Sequence, residues 1–531
     1  MDLTIRGTDP VSDDDPAWTA PPRSVAAPAP SALSAGWRAA VVVVLALGVL
    51  LRFATWSHLW LDEALTVNIA RLPLGQITEA LRHDGAPPLY YVLLHAWTAV
   101  FGTSTFAVRA LPGLFGVAAL PLMWFAARRV GGPRVAWAAT ALLATGPFAL
   151  RYATEARMYS LVTVFVLVGF LAVMALRDGG GAKPAVVLAV TTGLLLLTHY
   201  WSFYLLVVTV VGLLVAARRG QPGARLSLVA VGAGCLLFLP WAPVFLDQLK
   251  HTGTPWGHPG TLRSLFDTVF DFAGGYWDAG IPLGLMFFGL AGLALFGAAV
   301  DRNRVMFDWR ARAPGGWVAL VAFGTLAVAI VAGQLGRSAF AVRYAAVLYP
   351  VFVILVALGT QPLAEQRVFN GVLAVACVLG LWANVPNVVG ERTSAARVAS
   401  VLNAKASPGD VVAYCPDQVG PSVNRELRAP GLVELTFPRG NAPQFVDWRD
   451  YAAVNKAGRP ADFAQLLLDR AGPAHDVWLV WSPGYRSVSG KCQNIIDVLD
   501  NARPDNRRVV KVSTQYFERP GLVRFRANQA V

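Results

Sequence analysis

Charged residues are scarce in this chain: 15% of 531 residues, against 55% hydrophobic. Soluble domains carry about a quarter charged residues, so a water-soluble globule is excluded over most of the length. Cysteine is nearly absent, with four in all. Cys235 and Cys377 lie in apolar runs and read as packing residues. Cys415 and Cys492 lie in a polar C-terminal stretch, where a disulfide stays open if that stretch is exported. The first 35 residues lack the basic start, apolar stretch and cleavage site of a secretory signal. Rich in Pro, Ala, Ser and Asp, they read as a disordered cytoplasmic tail, 1–35. No internal repeat stands out. The net charge of +13 does not mark a nucleic-acid binder. Most of the arginines fall in short loops between apolar runs, where they act as topology signals and lipid headgroup contacts.

Apolar sequence is abundant instead. Runs near the length that crosses a bilayer fall at 37–55, 107–127, 135–150, 157–176, 184–199, 202–217, 226–246, 281–300, 316–335, 340–360 and 367–388. A further run, PLYYVLLHAWTAVFG at 88–102, is short for a span and suits an interfacial or re-entrant helix. The arginines arbitrate. If 88–102 does not cross, the clusters at 128–134, 177–183, 218–225 and 302–312, together with Arg367, all face inward. If it does cross, every one of them faces outward, against the positive-inside rule. The expectation is a polytopic α-helical membrane protein of about eleven spans over 36–389. Its N-terminus is cytoplasmic, its C-terminus external, and 56–106 forms one external loop lying on the membrane.

Beyond residue 390 the composition turns polar. Strand-like runs DVVAYC (410–415), DVWLVWS (476–482), RVVKVST (508–514) and GLVRFRA (521–527) alternate with helical patterns such as ADFAQLLLDRAG and CQNIIDVLDNA. That alternation predicts a small extracytoplasmic α/β domain over 390–531.

The chemistry-bearing residues collect at the outward edges. In HLWLDEALTVNIARLPLGQITEALRHDGAPPLYY (58–91), Leu65, Ile69 and Leu72, then Leu74, Ile77 and Leu81 after Pro73, keep helical spacing. They predict two short amphipathic helices at the interface. Asp62 begins the first. An acid there is a favoured N-cap, and it is equally a carboxylate able to take a proton from an acceptor hydroxyl, with Glu63 its competitor. His83 and Asp84 precede a rigid Gly-Pro turn and could hold a sugar hydroxyl or pin Asp62; a solvated helix end explains them equally well. RYATEARMYS (151–160) places Arg151, Glu155 and Arg157 among tyrosines, where charge at membrane depth points to function and a local ion pair is the plainer account. THYWSF brings His199 and Tyr200, and GRSAFAVRYAAVLYP brings Arg337, Arg343 and Tyr344. Arginine suits a phosphate through its fork of donors, so these edges fit a site for an anionic, lipid-anchored ligand.

In this order the motifs resemble the GT-C glycosyltransferases, which use polyprenyl-phosphate sugars, and within them the protein O-mannosyltransferase and lipid A aminoarabinose transferase branch. WLDEA matches the acidic motif after the first span, HDGAPPLYY the opening of the second juxtamembrane helix, and EARMYSL with Arg343, Tyr344 and Pro350 the later motifs. The likeness covers roughly 37–360. It implies that Asp62 is the general base of an inverting transfer, with Arg157 and Arg343 on the lipid phosphate and Tyr344 and Arg151 beside them. His83, Asp84, His199, Tyr200 and Glu155 would then contact substrate. One departure is that Gly85 and Ala86 separate His83 and Asp84 from the first proline, before which some relatives place a Lys or Glu-Lys. The donor implied is a polyprenyl-phosphate sugar, mannose first and arabinose or aminoarabinose second. The acceptor is an extracytoplasmic glycan, lipoglycan or protein, and the membrane is bacterial. No metal is expected, because adjacent helix residues such as Asp62 and Glu63 point about 100° apart. A transporter or lipid flippase is the competing class, yet transporters place their polar sites near the bilayer midplane. A receptor role for the external domain leaves the acidic loop and the arginine edges unexplained.

Overall fold

The computed structural model describes residues 35–528, apart from 254–256, 303, 312 and 337. The expected tail, but for Ala35, and also Arg312 and Arg337, lie outside the described residues.

Helices α1 (Ala35–Leu51), α2 (Leu61–Ala70), α3 (Leu74–Asp84), α4 (Leu89–Phe101) and α5 (Thr105–Thr145) open the chain, followed by α6 (Pro147–Ala153) and α7 (Tyr159–Arg177). Five helices among the described residues are long and apolar enough to cross a membrane: Thr105–Thr145, Tyr159–Arg177, Ala224–His251, Gly315–Gly336 and Gln366–Val389. Six shorter apolar helices of 10–17 residues accompany them. Two runs read as separate spans meet inside α5, where Gly132 takes φ 79° and Pro133 follows. Glycine alone enters that region cheaply, so the helix breaks there. The run at 281–300 ends early as a helix, Gly280–Phe296, and its last residues enter a hairpin of β1 (Gly297–Ala299) and β2 (Val305–Phe307).

The stretch after α1 folds as its periodicity predicts. Pro73 separates α2 from α3, and Gly85 at φ 78° ends α3; a Cβ there would meet Thr252 Oγ1 at 2.7 Å. At 13 residues α4 is about 20 Å long, short of a bilayer core. It buries Tyr90, Tyr91 and Leu94, and Tyr90 and Leu94 share a core with Ala64 and Val67 of α2. One expectation is corrected. Asp62 is not the N-cap of α2: that position is Trp60, which offers no capping side chain. Asp62 lies within the first turn, so its carboxylate is not spent on its own helix end.

The C-terminal region builds a five-stranded sheet in the order β4-β3-β5-β7-β6 from β3 (Val411–Cys415), β4 (Val433–Thr436), β5 (Val477–Trp481), β6 (Asn506–Val510) and β7 (Gly521–Phe525). Parallel pairing holds for β4, β3 and β5, and β7 runs antiparallel to both β5 and β6. Strand β4 was not legible in the sequence, since three of its four residues are only half-buried at the sheet edge. Alternate residues of β3 face opposite sides: Val411, Ala413 and Cys415 pack with Leu467 and Ile495, Val412 and Tyr414 with Val398 and Leu402. Cys415 and Cys492 are joined in a disulfide. Cys235 and Cys377 are free, and Cys377 is buried.

Candidate functional site

The site begins with a charge pair inside the fold. Glu63 is fully buried, and Arg109 of α5 grips it at both oxygens, Nε to Oε1 at 2.7 Å and Nη2 to Oε2 at 2.6 Å. The Ala156 N–H donates to Oε1 at 2.9 Å, and Arg392 Nη1 stands 3.8 Å from Oε2. Burial alone would raise the Glu63 carboxyl, but Arg109 and Arg392 hold it below the ordinary carboxylate value. Arg109 also donates to the carbonyls of Ser57 (2.5 Å) and His58 (3.1 Å). Three segments distant in sequence, at Arg109, Ala156 and Arg392, are thereby gathered at the first turn of α2.

About 100° further round that helix, Asp62 faces a different environment. Its Oδ2 lies 3.4 Å from Arg343 Nη2, with the two side chains 15% and 19% exposed. The guanidinium of Arg343 also stands over the rings of Tyr344 (5.5 Å) and Trp60 (5.8 Å). Arg157 arrives from the segment between α6 and α7. Its Nη1 donates to Thr66 Oγ1 at 2.7 Å and to Tyr91 OH at 3.3 Å. Thr66 sits one turn from Asp62 and donates to its carbonyl at 2.6 Å. Tyr91 OH donates in turn to Asp84 Oδ2 at 2.5 Å. Burial raises the Asp84 carboxyl, with Arg157 opposing.

The remaining wall is aromatic and buried. His199 Nδ1 accepts from the Trp201 N–H at 3.1 Å, and its ring lies 5.9 Å from that of Tyr159 and 5.4 Å from that of Tyr344. With Nδ1 accepting, the neutral ring carries its proton on Nε2. Glu155 is 1% exposed; its Oε2 is 3.1 Å from Arg151 Nη2, and burial raises its carboxyl against that arginine. Among the described residues, Trp60 Nε1, Tyr90 OH, Arg157 Nε, Tyr159 OH and Glu155 Oε1 are buried without a hydrogen-bond partner. Buried polar groups are nearly always satisfied in folded proteins, so these atoms stand out.

No family model and no curated protein matches the chain. Solved structures do. ArnT from Cupriavidus metallidurans in the apo state is similar over 94% of this chain and 100% of that one, at 15% identity and a TM-score of 0.58. The same protein bound to undecaprenyl phosphate gives 0.56 at 15% identity, over 94% and 100% of the two chains. The chain has the GT-C fold.

On this GT-C frame the residues picked from the sequence divide. Asp62, Arg157, Arg343, Tyr344, His199 and Asp84 come together, and Arg151 and Glu155 flank them. Glu63 is buried in the Arg109 clamp, apart from that space. His83 turns away: Nδ1 meets Asp447 Oδ1 at 2.8 Å, and its carbonyl accepts from the Trp448 N–H at 2.9 Å, so it docks a loop of the C-terminal region. Tyr200 is engaged elsewhere as well, accepting from Trp241 Nε1 at 2.9 Å and donating to Gln248 Oε1. Arg109, Thr66, Tyr91, Tyr159 and Arg392 went unrecognised. Arg109 had one signal, a lone charge at the start of an apolar run; Arg392 had none. A cavity of about 570 Å³ opens between the 52–58 segment and α5, lined by Arg52, Trp56, His58, Phe106 and Thr154 among others. It backs onto Arg109 rather than Asp62, so it is not the centre described here.

Proposed function

We propose that the protein is an inverting glycosyltransferase that moves a sugar from a polyprenyl-phosphate donor to an extracytoplasmic glycan, lipoglycan or protein. The observation that carries this reading is the pairing of Asp62 with Arg343 at 3.4 Å, inside a wall of buried, unpartnered polar atoms. Asp62 is the general base. Its carboxylate takes the proton of an acceptor hydroxyl as that oxygen attacks the anomeric carbon, and the bond from that carbon to the phosphate oxygen breaks on the opposite face. The departing phosphate gains negative charge rather than a proton. Arg343 and Arg157 supply fixed positive charge where it develops, which is worth most in a water-poor site. Glu155, Asp84 and the Tyr159 hydroxyl are placed to receive sugar hydroxyls, and His199 to donate from Nε2.

The GT-C fold and the undecaprenyl phosphate bound by ArnT support the donor class. Mannose is the donor sugar we propose, with arabinose or aminoarabinose the alternative within the same mechanism. About eleven spans, a bacterial plasma membrane, and a site and C-terminal domain (390–531) facing outward belong to the same reading. A transporter is disfavoured because the polar residues gather at one end of the helices.

The test gives the purified chain radiolabelled undecaprenyl-phosphate-mannose or undecaprenyl-phosphate-arabinose with a membrane glycan fraction, and Asp62→Asn in parallel. Transfer of one sugar by the wild type, abolished in the variant, is the expected result. Undiminished transfer by Asp62→Asn would remove Asp62 as base. No transfer from either donor, together with solute uptake into proteoliposomes, would replace the enzyme by a transporter.

A further inference from the structure

The N-terminus of α2, which carries Asp62, has no cap of its own. Trp60 occupies the capping position without a side-chain acceptor, and the first N–H groups of a helix need partners from elsewhere. The partner comes from the loop between β6 and β7, more than 450 positions away. Glu518 Oε1 accepts the Leu61 N–H at 3.3 Å and the Ser422 hydroxyl at 3.0 Å. The side chain beside it, Phe517, packs edge-on against the Trp60 ring at 5.0 Å. The Arg343 guanidinium stands 5.8 Å from the centre of that same Trp60 ring. The backbone of Glu518 is held too: its N–H donates to the Arg392 carbonyl at 2.9 Å, its carbonyl accepts from the Ser394 N–H at 3.1 Å, and Thr393 and Glu518 form a parallel bridge. Arg392 then reaches the Thr154 carbonyl and hydroxyl at 2.8 and 2.7 Å, next to the segment that carries Arg157. The sheet region therefore grips the residues on both sides of the base.

We propose that Glu518 is a positioning residue for Asp62, capping α2 from the C-terminal sheet region and so making that region part of the active site. The inference rests on the reading of Asp62 as general base. It gives the C-terminal region a role in the transfer itself, since the aim of the base then depends on a carboxyl supplied from there.

The environment of Glu518 makes the role readable. It is 3% exposed, and burial pushes its carboxyl up to about 8, with Asp62 adding to the rise and Thr393, Ser422 and the Leu61 N–H opposing it. The charged and titratable groups around it are Asp62 on α2 and Tyr485 after β5; Asp417, directly after β3, and Arg519, next in the chain, act on that same Tyr485. The guanidinium of Arg392 is engaged by Thr154 rather than by Glu518. A protonated Glu518 caps α2 without repelling Asp62. Ionised, it places a second negative charge beside the base in a buried setting, which destabilises the contact. Transfer by the wild type should therefore fall as pH rises through about 8.

The experiment measures transfer of radiolabelled undecaprenyl-phosphate sugar by the full chain across that pH range for the wild type, Glu518→Ala, Glu518→Gln and Asp62→Asn. Glu518→Ala should lower kcat about 10- to 100-fold with donor KM changed little, as misplacement of a reacting group by about 1 Å does. Glu518→Gln keeps a neutral acceptor of the same shape. It should rescue kcat near neutrality and remove the alkaline fall. Wild-type kcat in Glu518→Ala, or superimposable pH profiles for the wild type and Glu518→Gln, would overturn the proposal. If Glu518→Ala does not fold, the pH comparison with Glu518→Gln decides. Transfer surviving in Asp62→Asn would sink the base and this inference together. Inactive Asp62→Asn beside unaltered Glu518 variants would sink this inference alone.

Discussion

Arg343 Nη2 stands 3.4 Å from Asp62 Oδ2, so the arginine assigned to the donor phosphate touches the carboxylate assigned to the acceptor. In an inverting transfer the base and the leaving phosphate lie on opposite faces of the sugar. On the proposed mechanism the ion pair is thus a resting contact that the donor must open. Arg343→Ala should weaken undecaprenyl phosphate binding by roughly 10- to 100-fold, the worth of a charge-assisted hydrogen bond or two. Arg343→Lys should recover part of it, since a point charge lacks the fork. Scintillation proximity binding with labelled undecaprenyl phosphate reads both.

Asp62→Asn keeps the shape of the side chain and removes its basicity. Transfer should fall by about 10²- to 10⁴-fold, the usual share of a general base, while undecaprenyl phosphate still binds. A binding loss equal to the rate loss would mean that Asp62 orders the site instead of taking a proton.

Glu63→Ala should behave quite differently, although its side chain is next in sequence. It leaves Arg109 buried without its carboxylate, and breaking one partner of a buried pair costs about 3–5 kcal/mol. The expected outcome is a large fall in melting temperature or a failure to accumulate, read by fluorescence scanning in detergent. Glu63→Ala that folds like the wild type and only loses activity would instead place Glu63 in the chemistry.

The Cys415–Cys492 bond closes a long loop, with the two residues 77 apart. Replacing both by Ala should cost the sheet region about 2–5 kcal/mol. Thermal unfolding with and without reductant checks this, and a wild type insensitive to reductant would argue that the pair is not formed.

Periodicity and composition by themselves determined much of this protein, because they report on local physics. Apolar runs bounded by arginine yielded helices, Pro73 yielded the break between α2 and α3, and alternating strand-like and helical runs yielded most of the C-terminal sheet. The residues that meet at Asp62 were legible as edges: Arg157, Arg343, Tyr344 and His199 each stood out as polar groups beside apolar sequence. What each does with its neighbours was not legible. Asp62 and Glu63 are adjacent letters of similar chemistry, yet one faces Arg343 and the other is locked to Arg109, because neighbouring helix residues point about 100° apart. His83 and Asp84 part in the same way, one to Asp447 and the other to Tyr91. Only the tertiary structure decided these partners, and only it brought Arg392 and Glu518 to α2. Contacts between segments hundreds of residues apart leave no trace in local spacing; they arise when buried charges and bare helix ends find partners that the chain can supply only through its fold.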